Sequence, residues 1–290
     1  MTEILNNFDK LLHDKIHEKM LEQNPETILN NPRLLILEEL KNFINIHGVI
    51  ADVGCGSGYF GIGTAKMFDN ITRVDCIEAS KTATENVIPR NISYFKLSER
   101  VKVINGSFDA LARNEYDIIF AMGALHHSAN LDLTLKSIFH ALKPEGILVA
   151  QEPAMPDTTT HHEYQIKYDI IEEIYGLKIK NKDRNDRFFR ECEYKNSLIL
   201  NGFDILKWQD FITPIYSKNP KIELLINYIK SSKIYNKLKR FKNKYFKVML
   251  NNQNVSKNNW QEKMQISIKD LKPKLFVAKK TNCKEIFHEK

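Results

Sequence analysis

Val49-Ile50-Ala51-Asp52-Val53-Gly54-Cys55-Gly56-Ser57-Gly58 runs from an apolar strand into three glycines spaced two apart. Glycines at that spacing let the backbone turn tightly and approach a ligand with no Cβ in the way. The next residues, Tyr59 to Phe68, read as a helix carrying Phe60, Ile62, Ala65 and Met67. The order is therefore strand, loop, helix. Dinucleotide oxidoreductases use a related loop with the third glycine one residue later, so the loop alone leaves the ligand open.

A second landmark narrows it. Ile71-Thr72-Arg73-Val74-Asp75-Cys76-Ile77 is another run with strand character, and it ends on Glu78, 24 residues beyond Gly54. A carboxylate at the end of the second strand can accept hydrogen bonds from both ribose hydroxyls of a nucleoside, so the expected ligand carries a free ribose.

Further on stand Gly106-Ser107-Phe108-Asp109, then Tyr116-Asp117-Ile118-Ile119-Phe120-Ala121-Met122-Gly123-Ala124-Leu125-His126-His127, then Ala141-Leu142-Lys143-Pro144-Glu145-Gly146-Ile147-Leu148-Val149-Ala150-Gln151-Glu152-Pro153. Gly202-Phe203-Asp204-Ile205-Leu206 and Pro273-Lys274-Leu275-Phe276-Val277-Ala278-Lys279-Lys280 follow near the end. With four motifs in order across about 105 residues, the chain resembles the class I S-adenosylmethionine-dependent methyltransferases, in particular their small-molecule, type 11/12-like branch.

The resemblance implies an α/β, Rossmann-like, doubly wound seven-stranded sheet, mostly parallel with an antiparallel last strand, plus a helical cap. It implies S-adenosyl-L-methionine as cofactor, with contacts from Asp52, Gly54, Cys55, Gly56, Gly58, Glu78, Ala79, Ser107, Phe108, Asp109, Met122 and Gly123. Asp52 would engage the cofactor's ammonium, the amides of Gly54 to Gly58 would lie beside its amino-acid part, and Glu78 would hold the ribose. Asp109 would accept from the adenine amino group with Phe108 packed on the ring, and Met122 and Gly123 would border the sulfonium and the acceptor. Asp109 also reads as the N-cap of a short helix at Ala110 to Arg113. One departure is the turn Pro144-Glu145-Gly146, where the family more often has two glycines. A glutamate fits there if its φ is negative.

The chain has 290 residues and a mass of 33.8 kDa, enough to bury a sizeable core without a second domain. Its longest apolar stretches, such as Ile118 to Leu125, are too short to cross a bilayer, and Met1 to Asn7 lacks a basic-then-apolar signal pattern. A cytoplasmic location is expected. Cys55, Cys76, Cys192 and Cys283 show neither a C-x-x-C pair nor metal-ligand spacing, so reduced thiols and no metal are expected. The net charge of +7 and pI near 9.0 bear on partners through where the charge lies more than through its sum.

Phe8, Leu11, Leu12, Ile16 and Met20 recur at helical spacing, and Arg33 to Ile44 reads as a further helix after Pro25 and Pro32, giving an N-terminal helical cap over 1–45. Strands near 49–53, 72–77, 101–104, 116–121 and 146–151 alternate with helices near 59–68, 80–97 and 131–142 in a cofactor-binding core over 46–153. Residues 154–200 give helical spacing rich in polar and aromatic residues, an expected acceptor cap. Phe203 to Gln209 and Leu275 to Ala278 supply the last two strands within 201–280, around a basic helical insertion over 212–270, and 281–290 form a tail. In that insertion Ile234, Leu238, Phe241, Tyr245 and Val248 share a face beside Lys233, Lys237, Arg240, Lys244 and Lys247. The pattern fits a packed helix with a solvated lysine face. It also fits a basic amphipathic helix that touches an anionic membrane or an acidic acceptor weakly through 233–247.

Methyl transfer from a sulfonium is an in-line displacement at carbon, which needs held geometry and exclusion of water. His126 and His127 read either as a general base for a hydroxyl acceptor or as residues that order the loop and cap the next helix. Glu152, His161, His162, Tyr164 and Tyr168 are second-tier candidates. The expected activity is transfer to O or N of a small-molecule acceptor. Nucleic acid is disfavoured, because Ala121-Met122-Gly123-Ala124 stands where base-flipping enzymes place an acidic or Asn residue and a Pro-Pro-aromatic run. An RNA or protein methyltransferase, and a nonenzymatic S-adenosylmethionine-binding protein, stay open as alternatives.

Overall fold

The computed structural model describes residues 14, 16–158, 189–211 and 272–281. His161, His162, Tyr164, Tyr168 and the basic stretch 233–247 lie outside the described residues. Seven strands form one sheet: β1 Gly48–Val53, β2 Ile71–Glu78, β3 Val101–Asn105, β4 Tyr116–Met122, β5 Leu142–Ala154, β6 Phe203–Asp210 and β7 Lys272–Lys280. Their order is β3-β2-β1-β4-β5-β7-β6. Pairings from β3 across to β5 are parallel, and β7 runs antiparallel to both β5 and β6. This is the doubly wound sheet with an antiparallel last strand that the sequence led us to expect.

Continuous apolar runs make buried parallel strands because helices cover both faces. On one face α1 Leu35–Leu40, α2 Tyr59–Met67 and α3 Ile88–Phe95 bring Leu37, Leu40, Ile62 and Ile92 against Ile50, Phe120 and Val149. On the other, α4 Leu131–Ala141 and α5 Glu191–Leu200 bring Leu135, Ile138 and Leu198 against Ala51, Ile119 and Phe276. The described end of the 154–200 stretch thus lies in the helical layer of the sheet. Because β1 sits between β2 and β4, consecutive connections diverge there, and a crevice opens at the carboxyl ends of β1 and β4.

Several local expectations are corrected. Arg33 to Ile44 is a 3₁₀ turn at Pro32–Leu34 followed by the six-residue α1. The expected helix over 80–97 contains a π turn at Ala83–Val87 and ends at Phe95, with Lys96 at φ 57°. Pro89 accounts for the π turn, since its ring has no N–H to give the carbonyl four residues back. Asp109 is not the N-cap of a helix at Ala110 to Arg113: it lies inside a 3₁₀ turn at Phe108–Ala110, whose N-cap position is Ser107. Glu145 does not take a negative φ. It sits at +65°, the left-handed region where the family's glycine is at home, and its carboxylate pairs with Lys279. A Cβ on Gly146 would lie 2.9 Å from the Lys143 carbonyl, which leaves Glu145 to make the reversal at a cost of about 1–2 kcal/mol.

Candidate functional site

The glycine loop takes its shape from φ values of +65°, +59° and +76° at Gly54, Gly56 and Gly58. Any L side chain in that region costs about 1–2 kcal/mol, so three such positions in five residues demand glycine. At Gly54 the missing Cβ also lets Ala124 come close, because an added Cβ would stand 2.6 Å from the Ala124 Cβ. Most of the loop amides are committed inside the protein. Gly54 and Cys55 donate to the Ile77 carbonyl at 2.8 and 3.2 Å, and Gly58 donates to the Cys55 carbonyl at 2.9 Å. These internal bonds lock a bare backbone surface in place.

Two carboxylates flank that surface. Asp52, at the end of β1, accepts from the Gly61 amide at 2.8 Å through Oδ2 and so caps α2 from a neighbouring strand. Its Oδ1 is buried without a partner. Burial, with the Glu78 carboxylate adding to it, pushes Asp52 up to about 7 against the pull of the Gly61 amide. Glu78, at the end of β2, accepts from Gly56 N at 2.9 Å and Ser80 N at 3.1 Å, one on each oxygen. An ionised carboxylate is an acceptor-only group of the kind that meets a ribose hydroxyl. Ala79 follows, and Asn105 ties this corner to β3 by donating to the Glu78 and Ala79 carbonyls at 3.3 and 3.4 Å.

At the end of β3 the Ser107 hydroxyl is buried without a partner and Asp109 is exposed. Phe108 does not stand ready for an adenine. Its ring is 3% exposed and packs with Leu111, Leu131 and Leu135 beneath the sheet, while its carbonyl accepts from Ser137 Oγ at 2.6 Å. At the end of β4, Met122 is buried and Gly123 takes φ +79°.

Glu152, a second-tier candidate in the sequence, is the hub of the loop after β4. It is fully buried at the end of β5, and its Oε1 accepts from Ala124 N and Leu125 N, both at 2.8 Å. Its Oε2 meets His126 N at 3.3 Å and His126 Nδ1 at 2.8 Å. His126 is thereby tied to the carboxylate that gathers this loop. The His127 ring lies beside it, 4.0 Å between centroids, and is half-buried at the site.

Sequence reasoning missed Arg33. Its Nη1 donates to the Tyr59 hydroxyl at 3.2 Å and would lie 3.6 Å from a Cβ on Gly123. Tyr59 and, further off, Glu152 hold the guanidinium in its charged form against burial. The nearest local signal is Asn31-Pro32-Arg33, in which Asn31 Oδ1 accepts from Arg33 N at 3.0 Å and sets the turn. Nothing in sequence spacing joins it to Gly123, ninety positions on. Asp14 and His17 were missed too. Asp14 accepts from the Ser80 hydroxyl and, at 3.3 Å, from Thr82 N, and His17 is 2% exposed over Gly56. Arg90 fixes this segment by donating to the Leu21 and Met20 carbonyls at 2.6 and 3.2 Å.

Beneath the loop, Cys55 and Cys76 are buried near Asp52, their ligand atoms within 4.8 Å of one another. Burial and the neighbouring Cys76 push the Cys55 thiol up, which suits an inert core thiol.

These residues fit a nucleoside with an amino-acid tail. The orphaned Asp52 Oδ1 suits an ammonium, the Arg33 guanidinium a carboxylate, Glu78 a ribose, and the unpartnered Ser107 hydroxyl follows the end of β3. Comparison with known proteins agrees. Residues 44–288 match a family described as a methyltransferase domain. The ubiquinone biosynthesis O-methyltransferase of Rickettsia prowazekii (strain Madrid E) is 22% identical over 198 residues, 67% of this chain and 75% of that protein. The malonyl-acyl-carrier-protein O-methyltransferase of Priestia megaterium (strain DSM 319 / IMG 1521) is 32% identical over 123 residues, 40% of either protein, so the match spans less than half of its length. Among solved structures, the cyclase SpnF superposes with a TM-score of 0.57 at 19% identity, covering 86% of this chain and 80% of that one, which speaks for the fold alone.

Proposed function

We propose, on the premise that this chain belongs to the class I S-adenosylmethionine-dependent methyltransferases, that its acceptor is a small molecule methylated on oxygen or nitrogen. The observation that carries this reading is the seat of the segment around Asp14 and His17, in which Asp14 meets Ser80 and Thr82 after β2 and His17 lies over Gly56. A segment seated there would exclude water and large acceptors alike. The relatives named for O-methylation support transfer to oxygen. Among the described residues no helix is long and apolar enough to cross a membrane.

S-adenosylmethionine supplies, when bound, an electrophilic methyl on a sulfonium. The chain's part is to hold and orient: Asp52 and Arg33 would take the charged ends of the amino-acid tail, Glu78 the ribose, and Gly123 with Met122 would form the wall beside the methyl. His127 is the group placed to take a proton from an acceptor hydroxyl, while Glu152 and His126 keep its loop in register. Incubating the enzyme with methyl-labelled S-adenosylmethionine and fractionated cell extract tests the acceptor class. Label is expected in the small-molecule fraction, reduced by His127→Ala with S-adenosylhomocysteine affinity unchanged. Label in tRNA or protein instead would overturn the proposal.

Asp52 makes the binding step pH-dependent. Its carboxyl, raised to about 7, holds a proton below that value in the free protein, and an ammonium ligand needs it ionised. Protons and ligand therefore compete. Affinity for S-adenosylhomocysteine is expected to fall as pH drops below about 7, by up to about tenfold per unit. Asp52→Asn should weaken binding and flatten the profile. Calorimetry between pH 5.5 and 7.5 reads both, and a flat wild-type profile would remove Asp52 from the ligand's ammonium.

A further inference from the structure

Gln151 lies on β5 beside Met122 of β4 and Leu275 of β7, its register partners. Its carbonyl accepts from Gly123 N at 2.8 Å, so it shares the end of β4 with the site. Alternation along β5 sends Glu152 to the face that holds the His126 loop and Gln151 to the opposite face, which carries Met122, Leu275 and α1. That is also the face from which Arg33 approaches Gly123. The side chain is 3% exposed, and its Oε1 is buried with no hydrogen-bond partner. With the amide in this orientation its oxygen meets no donor.

A buried amide atom left unpaired is destabilising, and strands keep such a group where a ligand completes it. Its position says which ligand. Glu78, the glycine loop and Gly123 follow one another across β2, β1 and β4, so a donor held by them would present its methyl toward β5. Resting on the methyltransferase reading above, we propose that Gln151 is an acceptor-binding residue, its amide oxygen accepting from an O–H or N–H of the acceptor against the apolar wall of Met122 and Leu275. The acceptor class is then a neutral molecule with an apolar body and a hydroxyl or amine, as in a phenol, rather than a carboxylate with no proton to give.

The test compares wild type with Gln151→Met, which keeps length and removes the polar atoms, both saturated with S-adenosylhomocysteine. Gln151→Met is expected to melt about 3–8 °C above wild type, because an unsatisfied group is replaced by an apolar one. S-adenosylhomocysteine affinity should be unchanged. Catechol, a probe with two phenolic O–H groups, should bind the wild-type complex about tenfold more tightly than the variant complex, and 1,2-dimethoxybenzene, of similar shape without donors, should bind both alike. A variant that melts at or below wild type shows the amide to be structurally satisfied and overturns the proposal. So does catechol that fails to bind wild type, or binds both proteins equally. Loss of S-adenosylhomocysteine binding by wild type would instead overturn the methyltransferase reading itself.

Discussion

Glu152→Ala is expected to lower the melting temperature by about 8–16 °C, corresponding to about 4 kcal/mol in a chain of this size. The fully buried carboxylate receives three consecutive backbone amides, from Ala124, Leu125 and His126, together with His126 Nδ1. Truncation removes the acceptor of three backbone amides and the partner of the His126 ring in a space that solvent reaches poorly, and each orphaned amide costs about 1–3 kcal/mol before relaxation. Gln is the informative second variant. Its carbonyl can still receive Ala124 and Leu125, but its NH₂ faces the His126 amide donor to donor, so it should recover about half the loss. Burial also raises Glu152 to about 7, with the Leu125 and Ala124 amides pulling it back. An unfolded glutamate ionises near 4.5, so between that value and about 7 the folded state holds the extra proton. Stability from this group is thus greatest at acid pH and is lost as pH rises through about 7, a slope that Gln should remove. Thermal melts across pH 5 to 8 would read it, and an alanine variant melting within about 2 °C of wild type would show that the loop after β4 is held by something else.

Glu78→Ala is expected to weaken S-adenosylhomocysteine binding by about 100-fold or more, equivalent to about 2.7 kcal/mol. Two losses add. The ribose hydroxyls forfeit a charged acceptor, for which hydrogen bonds are worth about 1.5–3 kcal/mol each. The glycine loop also loses an anchor, because Gly56 N donates to Glu78 Oε2 at 2.9 Å. Glu78→Gln separates the two, since its one remaining oxygen can still receive Gly56 while its NH₂ opposes the Ser80 amide. Its affinity should fall between wild type and alanine. Calorimetry decides, and a dissociation constant for the alanine variant within about threefold of wild type would mean that the nucleoside lies elsewhere.

Much of this site was legible one strand at a time. Asp52, the glycines and Glu78 announced themselves because each stands at the carboxyl end of an apolar run, where a parallel sheet opens its crevice. Spacing could place these residues but could not assign their bonds. The loop amides turned out to be spent on Ile77, Glu78 and Cys55, and Asp52 turned out to cap a helix as well as face the crevice. Phe108 misled for a related reason. The family resemblance implied that it packs on the adenine ring, but Phe108 is buried in the core formed with α4. Glu145 misled because a backbone angle is set by how Gly146 packs against Lys143, which composition does not record.

By itself the sequence determined the strand, loop and helix order, the seven-stranded sheet and the carboxylates that border the crevice. The element order follows from local periodicity and from glycines whose φ no other residue adopts cheaply, and the seven-stranded sheet from the resemblance to the methyltransferase family. Only the tertiary structure decided that Arg33 meets Gly123, that Asp14 and His17 settle on the loop, that Glu152 gathers the amides after β4, and that Gln151 is left with a buried oxygen unmet. The physical reason is that hydrogen-bond satisfaction and burial belong to pairs of groups distant in the chain, and the packing of the two helical layers on the sheet is what brings them together.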